Sequence, residues 1–118
     1  MTRTAFYGNI STPDAQIVRS LLETWLDTQN LKAKLKLTGD QFVYEDERIY
    51  VYCYNADAAP EGHEMFLLEG NTAEGLDETR LSLQRFRKLC EEHDLDCDLE
   101  YVALDENGDQ AGDMIPVR

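Results

Sequence analysis

A chain of 118 residues, 42% hydrophobic, is long enough to close one domain around its own core and too apolar for wholesale disorder. Its formal net charge of −13 lies outside the magnitude of about 2–8 usual for small soluble domains. A field of that sign repels nucleic acids and anionic membranes and draws basic partners in quickly at low salt, so direct binding to either of the first two is not expected.

The charge is segregated. Residues 1–38 carry +2, 39–79 carry −10, 80–90 carry +4 and 91–118 carry −9. The imbalance therefore comes from two acidic blocks separated by a short basic stretch. Three cysteines, Cys53, Cys90 and Cys97, lack the spacing of a disulfide framework and read as reduced thiols. Met1-Thr2-Arg3-Thr4-Ala5-Phe6 has no apolar signal region, and no segment approaches the roughly 18 apolar residues of a membrane span. The expectation is a cytoplasmic protein.

Thr4–Ile10 reads as a first strand. A helix should follow, with Thr12 as N-cap, Pro13 at the first helical position and Asp14 against the positive helix end. Ile17, Val18, Leu21, Leu22, Trp25 and Leu26 then recur at three- and four-residue spacing, one apolar stripe that must pack on something. Leu31–Thr38 alternates, with Leu31, Ala33, Leu35 and Leu37 on one side and Lys32, Lys34 and Lys36 on the other. Gly39-Asp40 is a two-residue hairpin signal, after which Gln41–Tyr44 returns.

Glu45-Asp46-Glu47 forms the next turn, and Arg48–Tyr54 is another strand. There Ile49, Val51 and Cys53 share one face, while Tyr50, Tyr52 and Tyr54 share the other. The tyrosines can pack across strands or beneath a helix, or form an exposed protein-binding stripe. This strand resembles the aromatic-bearing strand of RNA-recognition sheets, but it lacks that motif's glycine and lies where phosphates are repelled. A loop from Asn55 to Gly62, containing Pro60, leads to a strand near Glu64–Glu69.

The second helix should take Asp77 as N-cap, with Leu76 stapling to Leu81. Leu76, Leu83, Phe86 and Cys90 give its apolar face, with Leu89 beside it. Arg80, Arg85, Arg87 and Lys88 either neutralise nearby acids or brace them against self-repulsion. A last long strand follows, and Asn107-Gly108 should turn the chain so that Met114–Val117 pairs back as an edge strand, where Pro116 fits. The order implies one α+β domain over residues 1–118. Its antiparallel sheet has about five to six strands with two helices on one face, a ferredoxin-like variant.

The sharpest chemical feature lies between Glu91 and Asp113, which hold ten carboxylates and no lysine or arginine. In Asp94-Leu95-Asp96-Cys97-Asp98-Leu99-Glu100 the acids alternate, so on a strand they form a row on one face at about 6.6–6.8 Å pitch. Neighbouring phosphates on a nucleic-acid strand have a similar separation. Asp105, Glu106 and Asp109 continue the acidity, and Glu45, Asp46 and Glu47 form a second cluster. The plain alternative is a solvated face that keeps the protein soluble. Against it, close like charges cost up to roughly 1 kcal/mol per exposed pair.

Other chemistries fit less well. Asp94, Asp96 and Asp98 match the first three ligands of a calcium-binding helix–loop–helix, but the required glycine is Leu99 and the closing glutamate is Asp105. Cys90, His93 and Cys97, with Cys53 or His63, offer zinc ligands without the paired doublets of structural sites. No nucleophile elbow, phosphate loop, dinucleotide fingerprint or metalloprotease motif is present, so an enzyme is not expected, nor any cofactor.

In size, acidity and the arrangement of acid in 39–79 and 91–113, the chain resembles the small bacterial and phage DNA-mimic proteins. The resemblance implies an inhibitor whose carboxylates occupy the DNA-binding surface of a basic protein: an HU-like nucleoid protein first, otherwise a repressor or nuclease. The residues implied are Asp94, Asp96, Asp98, Glu100, Asp105, Glu106 and Asp109, with Glu45, Asp46 and Glu47 as a second patch and Tyr50 and Tyr52 beside them. Such a protein would act as a monomer or homodimer. An immunity protein or antitoxin against a basic toxin is the neighbouring alternative; a small enzyme or metal-binding protein is the more distant one.

Overall fold

The sheet grows outward from its first strand. In the computed structural model, β1 (Arg3–Thr12) pairs with β5 (Glu64–Thr72) on one side and β6 (Asp96–Leu104) on the other. β4 (Ile49–Asn55) pairs with β5, β3 (Gly39–Glu45) with β4, and β2 (Lys32–Lys36) with β3. The two-residue β7 (Ile115–Pro116) pairs with β6. All pairs are antiparallel, in the order β2-β3-β4-β5-β1-β6-β7. The inner order β4-β5-β1-β6 is compatible with the expected ferredoxin-like arrangement, extended by β2 and β3 at one edge and β7 at the other. The structure describes residues 3–12, 14–27, 32–36, 39–56 and 64–118, with the backbone alone for 32–36, 39, 40 and 64. Pro13, Leu31, Leu37, Thr38, Pro60 and His63, and with them the 57–62 stretch of the loop, lie outside these.

Two helices, α1 (Ala15–Leu26) and α2 (Leu76–Glu92), cover one face. Alternation turns Phe6 and Ile10 of β1, Phe42 of β3, Val51 and Cys53 of β4, Phe66 and Leu68 of β5, and Leu99 and Tyr101 of β6 towards them. These residues form a single core with Val18, Leu21, Leu22 and Trp25 of α1 and Leu83, Phe86 and Cys90 of α2. Gly70 sits in that layer because nothing larger fits: a Cβ there would lie 2.1 Å from the Tyr50 carbonyl oxygen and 2.6 Å from the Phe6 ring. Among the described residues no helix is long and apolar enough to cross a membrane.

Several local expectations are corrected. Thr12 ends β1 rather than capping α1. Asp14 is the N-cap, its carboxylate accepting the Gln16 N–H at 2.9 Å. Gly39 and Asp40 are paired residues of β3, opposite Lys36 and Leu35, rather than a two-residue hairpin turn. Gly75 rather than Asp77 caps α2, with its N–H donated to the Glu78 carboxylate at 2.9 Å. Leu76 and Leu81 are exposed instead of stapled, and Thr79 takes the buried place expected of Leu76. Asn107-Gly108 does lie in a turn, with Gly108 at φ +83° and the Asp105 N–H donated to the Asp109 carbonyl. The returning strand, however, is reduced to Ile115–Pro116.

All three cysteines are free. Burial pushes the Cys53 thiol up to about 12, while a hydrogen bond between Cys90 and Cys97 lowers the first and raises the second. Among the described residues no His, Cys, Asp or Glu side chains gather as a metal ion would require. His93 closes α2, and its Nδ1 lies 2.9 Å from the Leu89 carbonyl oxygen.

Candidate protein-binding surface

The face of the sheet away from the helices carries the acid row. Leu99 and Tyr101 anchor β6 in the core, so Asp96, Asp98 and Glu100 point the other way and are all exposed. None of the three makes an ion pair with a described residue. The row is three carboxylates long rather than four. Asp94 lies before the strand in a left-handed conformation (φ 56°), exposed in the turn from α2. Beyond the other end of β6, Asp105 accepts the N–H groups of Asn107 and Asp109 at 2.8 and 3.0 Å, so its carboxylate shapes the turn. Glu106 and Asp109 are exposed there.

The second cluster stands apart. Glu45 ends β3 opposite Tyr50, four strands from β6, or about 19 Å across the sheet. Asp46 is a turn-former: its carboxylate accepts the backbone N–H groups of Arg48 and Ile49 at 2.8 and 2.9 Å and the Tyr44 hydroxyl at 2.8 Å. Those bonds, led by the Arg48 N–H, hold it below the usual carboxylate range and raise Tyr44. Glu47 is exposed. The β3–β4 acids and the β6 row are therefore not one patch.

Between them lies an aromatic centre. Tyr50, Tyr52 and Tyr54 are half-buried on the open face, beneath no helix. Tyr52 and Tyr54 stack with centroids 4.9 Å apart, and the Gln41 amide donates to the Tyr52 hydroxyl. The register joins this centre to the β6 row through Glu69, Tyr7, Leu67 and Asn9, none of which carries a motif. Opposite Tyr52 stands Glu69, then Tyr7, then Glu100; opposite Tyr54 stands Leu67, then Asn9, then Asp98. The alternation of Met65, Leu67, Glu69 and Asn71 with buried Phe66, Leu68 and Thr72 is the signal that could have marked β5's outer face.

The basic groups of α2 belong to the helix layer. Arg85 donates to the Trp25 carbonyl at the end of α1 and Arg87 to the Val117 carbonyl, each at 3.0 Å. Their principal contacts are thus backbone carbonyls that tie elements together, while Arg80 and Arg87 approach Asp77 and Glu91 of their own helix at 3.9 and 3.7 Å. They do not brace the acid row on β6. No protein-family model matches this chain, and no curated protein matches it.

Proposed function

We propose that this protein is a nucleic-acid mimic that binds a basic DNA-binding protein and blocks its nucleic-acid surface, with an HU-like nucleoid protein as the partner class. The observation that carries the reading is the row Asp96, Asp98 and Glu100, exposed and in no ion pair with a described residue, on a strand anchored by Leu99 and Tyr101. A strand sets their pitch at about 6.6–6.8 Å and resists rearrangement. A coat that served only solubility would gain nothing by aligning like charges, which repel. Asp94, Glu106 and Asp109 lengthen the anionic edge at the two ends of β6, and the tyrosines supply the apolar part that protein interfaces favour. The Glu45–Glu47 corner lies outside this footprint.

Displacement of labelled duplex DNA from a purified HU-like protein tests the reading. Added protein should release the DNA at low salt and lose that effect steeply as salt rises. Asp96→Lys combined with Asp98→Lys should weaken displacement by at least about tenfold, since it reverses two charges opposite a cationic surface. No displacement at low salt, or an unaffected double variant, overturns the reading.

A further inference from the structure

We propose that Tyr7, flanked by Glu69 and Glu100, is the seat of an arginine guanidinium of the protein partner; the inference rests on the cationic-partner reading above. The three residues are register neighbours on β5, β1 and β6, so the two glutamates stand on either side of the tyrosine at about one strand spacing, 4.8 Å. Glu69 is half-buried near the middle of the open face and has no ion pair or hydrogen bond with any described residue. Arg3, on the same face, donates to the Asn71 side chain instead. Lys32 stands in the same cross-strand file but three strands away, about 14 Å.

A half-buried carboxylate gives up part of its hydration, and a cation that pairs with it offsets that loss. The Tyr52 side of the site is fixed in advance by its stacking on Tyr54 and its bond from Gln41. A depression of about 270 Å³ at the β1–β6 edge is lined in part by Gly8, Cys97, Leu99 and Val117 of the helix side, so it is no part of the seat. An aromatic ring with an acceptor on each side suits a planar cation that stacks on the ring and donates from its edges. Arginine meets that description; a lysine ammonium is a compact, strongly hydrated point charge.

The test compares oligoarginine and oligolysine peptides of equal length, binding measured by fluorescence anisotropy. Wild type should favour oligoarginine by about tenfold. Glu69→Gln and Tyr7→Leu should each remove most of that preference, whereas Asp96→Asn with Asp98→Asn should weaken both peptides alike. Equal affinity of wild type for the two peptides, or a preference untouched by Glu69→Gln, overturns the seat and leaves the cationic-partner reading standing. Failure of both peptides to bind defeats that reading and the seat with it. A wild-type dimer in sedimentation that Tyr7→Leu or Glu69→Gln turns into a monomer assigns the face to a second copy of the chain and likewise overturns the proposal.

Discussion

The indole N–H of Trp25 donates to both the carbonyl and the hydroxyl oxygen of Ser82, at 2.9 and 3.1 Å, so one side chain of α1 is hydrogen-bonded to α2. Its ring also meets Phe86 edge-on with centroids 4.9 Å apart, and Phe6 of the sheet at 5.9 Å. Trp25 thus joins both helices and the central strand. Trp25→Ala should cost about 3–5 kcal/mol through the cavity it leaves. Trp25→Phe keeps most of the packing and should cost about 1–2 kcal/mol from the lost hydrogen bonds. Urea unfolding followed by far-ultraviolet circular dichroism reads both, and equal costs would refute the polar contribution.

The Asp46 turn makes a pH-dependent contribution to stability. Because its bonds lower the carboxyl below the ordinary value of 3.8, folding favours the ionised form. That contribution is complete above the unfolded value and is lost as pH falls through the depressed folded one. Asp46→Ala should therefore lie below wild type by a constant margin from neutrality down to about pH 5, and the margin should shrink on further acidification. Asp46 is well exposed, so the margin is small and screened by solvent. Unfolding curves at neutral and acid pH check it; a margin that widens in acid contradicts it.

Thr79 offers the opposite test. Its side chain is 2% exposed, and its hydroxyl has no hydrogen-bond partner among the described residues. A buried hydroxyl without a partner carries a desolvation penalty, and valine has nearly the same shape. Thr79→Val should stabilise the protein by about 1 kcal/mol, read as a higher urea midpoint with an unchanged slope.

The core was legible in the sequence because its periods are local. The α1 stripe of Val18, Leu21, Leu22 and Trp25 and the alternation of Val51 and Cys53 with three tyrosines need only neighbouring residues to be recognised. The caps were missed by two residues because Thr12 and Asp14, like Gly75 and Asp77, are all competent cap residues; only the observed path of β1 and the Glu78 bond distinguish them. Half of the surface was legible in the same way: Asp96, Asp98 and Glu100 share a face by alternation alone. The other half was not. Glu69 meets Tyr7 and Glu100 only through the register of three strands far apart in the chain, and no local pattern encodes that pairing.

β7 is so short that, among the described residues, the outer edge of β6 has no strand beside it at Asp96–Asp98. Bare backbone there could template the addition of a strand from another molecule, and charge on the edge is what opposes it. Replacing both aspartates by alanine removes the electrostatic guard while leaving the hydrogen-bonding groups in place. A chain with Asp96→Ala and Asp98→Ala should therefore begin to polymerise edge to edge at neutral pH, with fibrils forming from folded molecules rather than unfolded ones.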